Sequence, residues 1–421
     1  MKRILFLVCL LLFIVVVTLA VVYSQGYKVD FVNGGFKISK TGGLFIKASP
    51  KQADVYLNNP NSAHKIESKK TDFFFGSLLI ENLFPKTYKI EVAKEGYISW
   101  QKNLEIKEKE VTEAKNIILF PKDPGLTVFS RELENFWLSP DQKKIILREK
   151  NNNKWSLNLY EIDKEVKSHL IDEDDISIKG AELLSLEFSQ DSKTISLETG
   201  LEENIKYFTI NLEKSPVAPI KAKAPITSTT TLASIKINGD SYYLDRNGNI
   251  FKNMTKLNSS RFPVQQETDY SLEIFGDYIF LKENQNLYLF NQESKKIELF
   301  SQNINIIKAS PSQKVLALSS DNEMQLFFLK DNETFPKKKA GERMTLIRLS
   351  EKIKDFFWLN DDYLLFNTGN EVKIIETDDR DKAQVWNLAS SADPVISFSQ
   401  QDKRLYLLSE NKLYRSDALL P

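Results

Sequence analysis

Phe136-Trp137-Leu138-Ser139-Pro140-Asp141-Gln142-Lys143-Lys144-Ile145-Ile146-Leu147 reads as two apolar strands joined by a Ser-Pro-Asp turn. Proline sets the first turn dihedral and aspartate bonds back to the backbone, which reverses the chain. A third strand, Leu157-Asn158-Leu159-Tyr160, follows. Looser copies run from Leu186 to Leu197 around Ser189-Gln190-Asp191, from Ile307 to Leu318 around Ser310-Pro311-Ser312, and from Ile396 to Tyr406 around Ser399-Gln400-Gln401-Asp402. Weaker copies begin near Ala233, Tyr270 and Asp355. Starts near 136, 186, 233, 270, 304, 355 and 395 lie 34 to 51 residues apart, room for one four-stranded sheet each.

A twisted four-stranded sheet cannot bury both faces alone, so the repeats predict sheets stacked around an axis: a β-propeller of about seven blades over 126–421. This stretch resembles the WD-repeat-like and Tol-Pal-associated propellers. Pro216-Val217-Ala218-Pro219 through Thr227–Thr231 reads as an exposed inter-blade loop.

Upstream, Gly43–Pro50, Ala53–Leu57, Thr87–Val92, Leu104–Ile106 and Asn116–Phe120 carry strand patterning. Asn58-Asn59-Pro60-Asn61 and Lys94-Glu95-Gly96-Tyr97 supply turns, and the set predicts a small antiparallel sandwich over 43–121. Ser49-Pro50, Val55-Tyr56-Leu57, Pro85-Lys86-Thr87-Tyr88 and Lys94-Glu95-Gly96-Tyr97 make these residues resemble a PEGA domain. Ala53 and Lys86 depart from that pattern, Lys86 standing where glycine is usual. The resemblance implies a bacterial cell-surface setting and brings no catalytic residues. Lys122-Asp123-Pro124-Gly125 reads as the hinge to the propeller.

Residues 4–23 form an apolar run in which sixteen of twenty are Leu, Ile, Val or Phe. That is the length of a transmembrane helix, with about 5 to 10 kcal/mol favouring insertion. Lys2 and Arg3 precede it, so the chain is expected to keep its N-terminus in the cytoplasm, with 1–23 as anchor and everything beyond extracytoplasmic. Thr18-Leu19-Ala20 is a weak cleavage site, and the apolar run continues past it, which favours a retained anchor over a signal peptide. Residues 24–42, with Gly26, Gly34, Gly35 and Gly42, read as a juxtamembrane linker.

Lys plus Arg equals Asp plus Glu at 57 each, which argues against a nucleic-acid partner. Cys9 is the single cysteine, so no intrachain disulfide forms. Only His64 and His169 are present, too few for a multi-histidine metal site, and no nucleophile elbow or phosphate loop occurs. The acidic run Asp172-Glu173-Asp174-Asp175 is a candidate hard-cation site but reads better as a solvated loop. Asp245-Arg246-Asn247-Gly248-Asn249 reads as a hairpin turn, not a calcium loop. Trp137, Trp155, Trp358 and Trp386 are assigned to inter-blade packing, and Lys337-Lys338-Lys339 to a solvated loop.

No catalytic, cofactor or metal residue is therefore assigned. The sequence predicts a membrane-anchored extracytoplasmic scaffold that binds a protein or envelope glycan and contacts the bilayer through residues 4–23. Two alternatives stand beside it: a propeller hydrolase or lyase acting on envelope polymers, and a structural cell-surface protein contacting wall glycan.

Overall fold

The computed structural model describes residues 2–24, 26–32, 35–58, 65–151, 154–176, 180–201, 204–214, 218–222, 231–237, 239–333 and 336–421. His64, the turn expected at 59–61 and most of the 216–231 loop lie outside the described residues.

Helix α1 runs Lys2–Ser24. Among the described residues no helix is long and apolar enough to cross a membrane. The side chains of residues 1–5, 19 and 22–25 lie outside the described set. The residues expected to be a plain linker hold an antiparallel hairpin, β1 (Tyr27–Val32) and β2 (Gly35–Lys40). Thr41 ties its base, its backbone N–H and hydroxyl both donating to the Gly26 carbonyl at 2.6 and 2.7 Å.

Seven strands then form a small β-unit: β3 (Gly42–Ser49), β4 (Asp54–Asn58), β5 (Lys65–Lys70), β6 (Ser77–Leu83), β7 (Lys86–Ala93), β8 (Trp100–Ile106) and β9 (Val111–Ile118). They pair as β6-β3-β9 and β5-β4-β7-β8. Leu44, Ile46, Val55, Leu57, Ile90 and Val92, buried at alternate positions, fill the space between the two sheets. The unit is not wholly antiparallel, since β9 runs parallel to β3. Period-two patterning marks a half-buried strand without fixing its direction. Asn82 takes the left-handed backbone at φ 60° within β6, where the pairing with β3 shifts register between Gly42 and Leu44.

The rest of the chain is of β-propeller type. Among the described residues, seven four-stranded antiparallel sheets, here blades one to seven, occupy 133–172, 182–222, 231–256, 270–301, 306–348, 353–390 and 395–418. Their first strands begin within four residues of the starts read from the sequence. Blade seven holds only three of its own strands, and its fourth is β10 (Thr127–Arg131), paired antiparallel with Lys412–Ala418. Apolar clusters bridge blades one and two, three and four, four and five, five and six, six and seven, and seven and one.

The blade turns explain the repeat. Ser139 Oγ donates to Asp141 Oδ1 at 2.6 Å and accepts from Lys144 N at 3.0 Å, while Lys143 N donates to Asp141 Oδ1 at 3.1 Å. Ser189 and Asp191 repeat all three bonds. The fourth turn residue, Gln142, Ser192 or Gln313, sits at φ 55 to 58°, and in the turn after Ser399, one residue longer, the fifth, Lys403, sits at 59°. The recurring requirement is a serine that caps the turn and a residue that tolerates left-handed backbone; proline is optional.

Candidate functional site

The site begins with the alternation of β8. Trp100, Lys102, Leu104 and Ile106 occupy its buried face, which places a lysine in the core. Facing it is the third strand of blade six, Glu371–Glu376, and the loop after it. Lys102 Nζ sits 2.8 Å from Glu376 Oε1, with the two side chains 0% and 4% exposed. It also donates to the carbonyls of Asp378, Arg380 and Lys382 at 2.7, 2.9 and 2.7 Å. Trp100 Nε1 donates to Glu376 Oε2 at 2.9 Å, and Asn103 donates twice to Asp381 Oδ2. Burial pushes the Glu376 carboxyl up from its usual range, against the pull of Lys102.

The same seam is sealed by apolar packing. Phe120 meets the Tyr363 ring edge-on at 5.2 Å, and the Tyr363 hydroxyl accepts from Ile118 N at 3.0 Å. One hydrophobic cluster runs from Leu44 through Trp100 and Phe120 into Leu365, Trp386 and Leu407, joining the small unit to blades six and seven. The expected hinge is fastened at both ends: Lys122 N donates to Gly96 O at 3.0 Å and Asp417 N to Pro124 O at 2.9 Å. At Gly125, φ is +63° and a Cβ would lie 2.2 Å from the Asp417 carboxylate.

Between β9, blade five and blade six this junction leaves a cavity of about 180 Å³. Its apolar lining includes Ile117, Val315, Leu326 and Phe328. Lys115, Lys314 and Lys330 line it together with Asp361, Asp362, Asp378 and Glu376. Asp362 is half-buried, and burial pushes its carboxyl up to about 6 against a hydrogen bond from Asn116, with Asp361 and Asp378 adding to the rise. The volume suits one side chain or small group and is below that of a drug-sized ligand.

The raised carboxyls set a pH dependence. An acid whose pKa is higher in the folded state binds extra protons there, so its stabilising contribution is complete below its unfolded pKa and is lost as pH rises through its folded one. For Asp362 that window runs from 3.8 to about 6. Melting temperature should therefore fall as pH rises from 4 to 7, and Asp362→Asn should remove on the order of 2 °C of that fall, the shift being discounted for solvent screening. A melt series in which the substitution leaves the slope unchanged contradicts the burial assignment.

The residues singled out in the sequence are dispersed. His169 lies exposed on the fourth strand of blade one, 3.9 Å from Asp172. With Asp172 and Asp175 it forms a group of metal-ligand type, yet the Asp172 and Asp175 carboxylates cap each other's backbone in a short 3-10 turn. Asp174 pairs with Lys154 at 2.7 Å. Asp245 Oδ1 accepts from Asn247 N and Asn249 N at 2.9 and 2.7 Å, while Gly248 turns the hairpin at φ +76°. Trp155, Trp358 and Trp386 are buried, their indoles donating to the carbonyls of Ala181, Lys308 and Ser99, and Trp137 packs half-buried on the cluster of blades one and two. Trp386 therefore packs toward the small unit as well as within the blades.

Lys338 departs from the solvated loop expected of it. It is 13% exposed and held by Asp379 at 2.8 Å and Glu342 at 3.3 Å, linking blades five and six beside the cavity. The first strands of blades five and six are joined by Lys308, which donates to Asp355 Oδ1 at 2.7 Å and covers the Phe357 ring at 3.7 Å. Burial holds the Lys308 ammonium below its usual range.

No family model matches the chain, and no curated protein does. Among solved structures, it is similar to the β-propeller domain of Cps50 (Swd1) of Myceliophteria thermophila, at 11% identity and a TM-score of 0.40, over 69% of this chain and 99% of that one. YCF48 from Cyanidioschyzon merolae aligns at 12% identity and a TM-score of 0.42, over 69% and 98%. Virginiamycin B lyase from Staphylococcus aureus aligns at 13% and 0.41, over 69% and 98%. Likenesses this distant assign no activity.

Proposed function

We propose that the seven blades close into a ring and that the chain is a membrane-tethered extracytoplasmic binding platform. In this reading residues 4–23 cross the bilayer with the N-terminus in the cytoplasm, 43–121 is a PEGA-like module, and 126–421 is the propeller. Pairing of β10 with the last strand supports closure, because it joins the two ends of the array through one sheet. The binding reading rests on the cavity at the junction. β9 and the successive blades five and six, some 190 residues further on, hold it in fixed geometry, and its size, apolar lining and mixed charges suit one anchoring side chain of a protein partner.

A photo-crosslinking residue at Asn116, in the cavity, against one at Ser294, on an exposed turn of blade four, tests this in cells. A discrete adduct from position 116 alone, lost when Lys314 and Lys330 both become Glu, is the expected result. No adduct at 116, or the same adducts from both positions, counts against it. Asp362 keeps the hydrolase or lyase reading in play, since an acid titrating near 6 in a cleft is suited to proton transfer. Turnover of an envelope polymer by the purified chain, abolished by Asp362→Asn and indifferent to His169→Ala, would decide for that alternative.

A further inference from the structure

Between β5 and β6 the chain presents Phe73, Phe74 and Phe75 at 65, 74 and 74% exposure. A solvated run of three phenylalanines is unfavourable unless something covers it. This turn is also held in shape. The Asp72 carboxylate accepts from Phe74 N at 2.8 Å, Phe75 N at 2.7 Å, Ser77 N at 2.7 Å and Ser77 Oγ at 2.6 Å. Those bonds, led by the Ser77 hydroxyl, hold Asp72 down to about 2, so it stays ionised and inward-turned at any physiological pH. At Gly76, φ is +66° and a Cβ would lie 2.3 Å from the Ala48 carbonyl, so the turn closes tightly on β3.

Lysines surround the tip. Lys69 and Lys70 lead into it, Lys47 pairs across from Ser77, and the Lys51 side chain lies against Gly76. Lys94 Nζ donates to Lys51 O at 2.5 Å. The acids nearby are Asp54, 3.6 Å from Lys70, Glu95 beyond Lys94, Asp72, whose charge faces the backbone, and Asp362 of blade six, which lines a groove with Lys47, Lys51, Phe74 and Phe75. Phenylalanine has no polar handle to recognise a sugar hydroxyl, whereas a rigid apolar tip within a basic collar matches the acyl and headgroup layers of an anionic bilayer.

We propose that Phe73–Phe75 is a second membrane contact, inserted into the interface of an anionic lipid leaflet. The inference builds on the anchoring of α1. From Gly42, beside the tethering hairpin, to Ala48, beside the aromatic turn, β3 advances about 20 Å. Two contacts at that spacing lay β3 along the membrane surface and orient the propeller above it.

The test is a Phe74→Trp probe in the full-length chain with vesicles of phosphatidylglycerol and brominated phosphatidylcholine. The native tryptophans are buried or half-buried, and Met254→Trp, at a position 94% exposed on a blade-three hairpin, is the solvent control. Emission from the indole introduced by Phe74→Trp should be quenched at least twofold more than that of the control. Replacing each Phe by Ser should weaken vesicle partitioning about tenfold in the absence of an inserted helix. Resistance to alkaline extraction reads α1 independently. If α1 fails to anchor, the same probe is read on simple mixing with vesicles. Unquenched emission from the Phe74→Trp variant in either case overturns the inference and leaves a protein partner as the occupant of the turn.

Discussion

Replacing Lys102 with Met is expected to destabilise the protein by about 3 to 5 kcal/mol, the cost of stranding a buried carboxylate. The ammonium is the charge partner of Glu376 and a donor to three carbonyls of the 377–384 loop, all at a seam closed to water. Without it, Glu376 keeps Trp100 and Gln384 as donors but loses its compensating charge. The carboxyl then rises further and takes up a proton, so the loss should be smaller at pH 5 than at pH 8. Lys102→Met combined with Glu376→Gln should recover most of the stability, since a buried pair replaced whole is often neutral. Chemical denaturation of the two single variants and the double variant reads this cycle directly. Near-additive losses would mean the pair is not coupled.

A larger loss is expected from replacing Thr127–Arg131 with Gly and Ser at constant length, which keeps the connection to the small unit and removes the strand that completes blade seven. The edge of Lys412–Ala418 is then unpaired, and Phe129 is lost from its packing on Tyr160 of blade one at 4.7 Å and Tyr406 of blade seven at 6.1 Å. Both consequences fall on the seam between first and last blades, where Leu133, Leu147, Tyr160, Leu408 and Leu413 form one cluster. We expect the melting temperature to fall by 10 °C or more, about 9 kcal/mol in a chain of this size, with early exchange of blades one and seven. Unchanged melting would show that β10 is decoration and that the stacked blades hold without it.

The phase of the blades was legible because each turn needs a serine cap, here Ser139 and Ser189, and because the flanking strands alternate locally. The strand that completes blade seven was not legible. Its partner lies some 285 residues away, and Thr127-Val128-Phe129-Ser130-Arg131 carries no repeat turn of its own. Lys102 left a signal that reads clearly in retrospect: a lysine at the core phase of Trp100-x-Lys102-x-Leu104-x-Ile106 requires a buried anion, though nothing local names Glu376. The cavity residues share no motif because β9, blade five and blade six meet only in the fold. Asp362 is perturbed by that meeting, not by its neighbours in sequence alone. The Phe73–Phe75 turn went unread, since its exposure depends on Asp72 drawing the loop backbone inward.

The account stands on the small β-unit and the propeller forming one cooperative body around a fixed cavity. Native-state hydrogen exchange on the full-length chain tests this most directly, by comparing the slowest amides of Trp100–Ile106 with those of Glu371–Glu376. Equal opening free energies for the two strands, both lowered together in Lys102→Met, are the predicted result. A strand Trp100–Ile106 that opens at far lower free energy, with Glu371–Glu376 unmoved by the substitution, would contradict it.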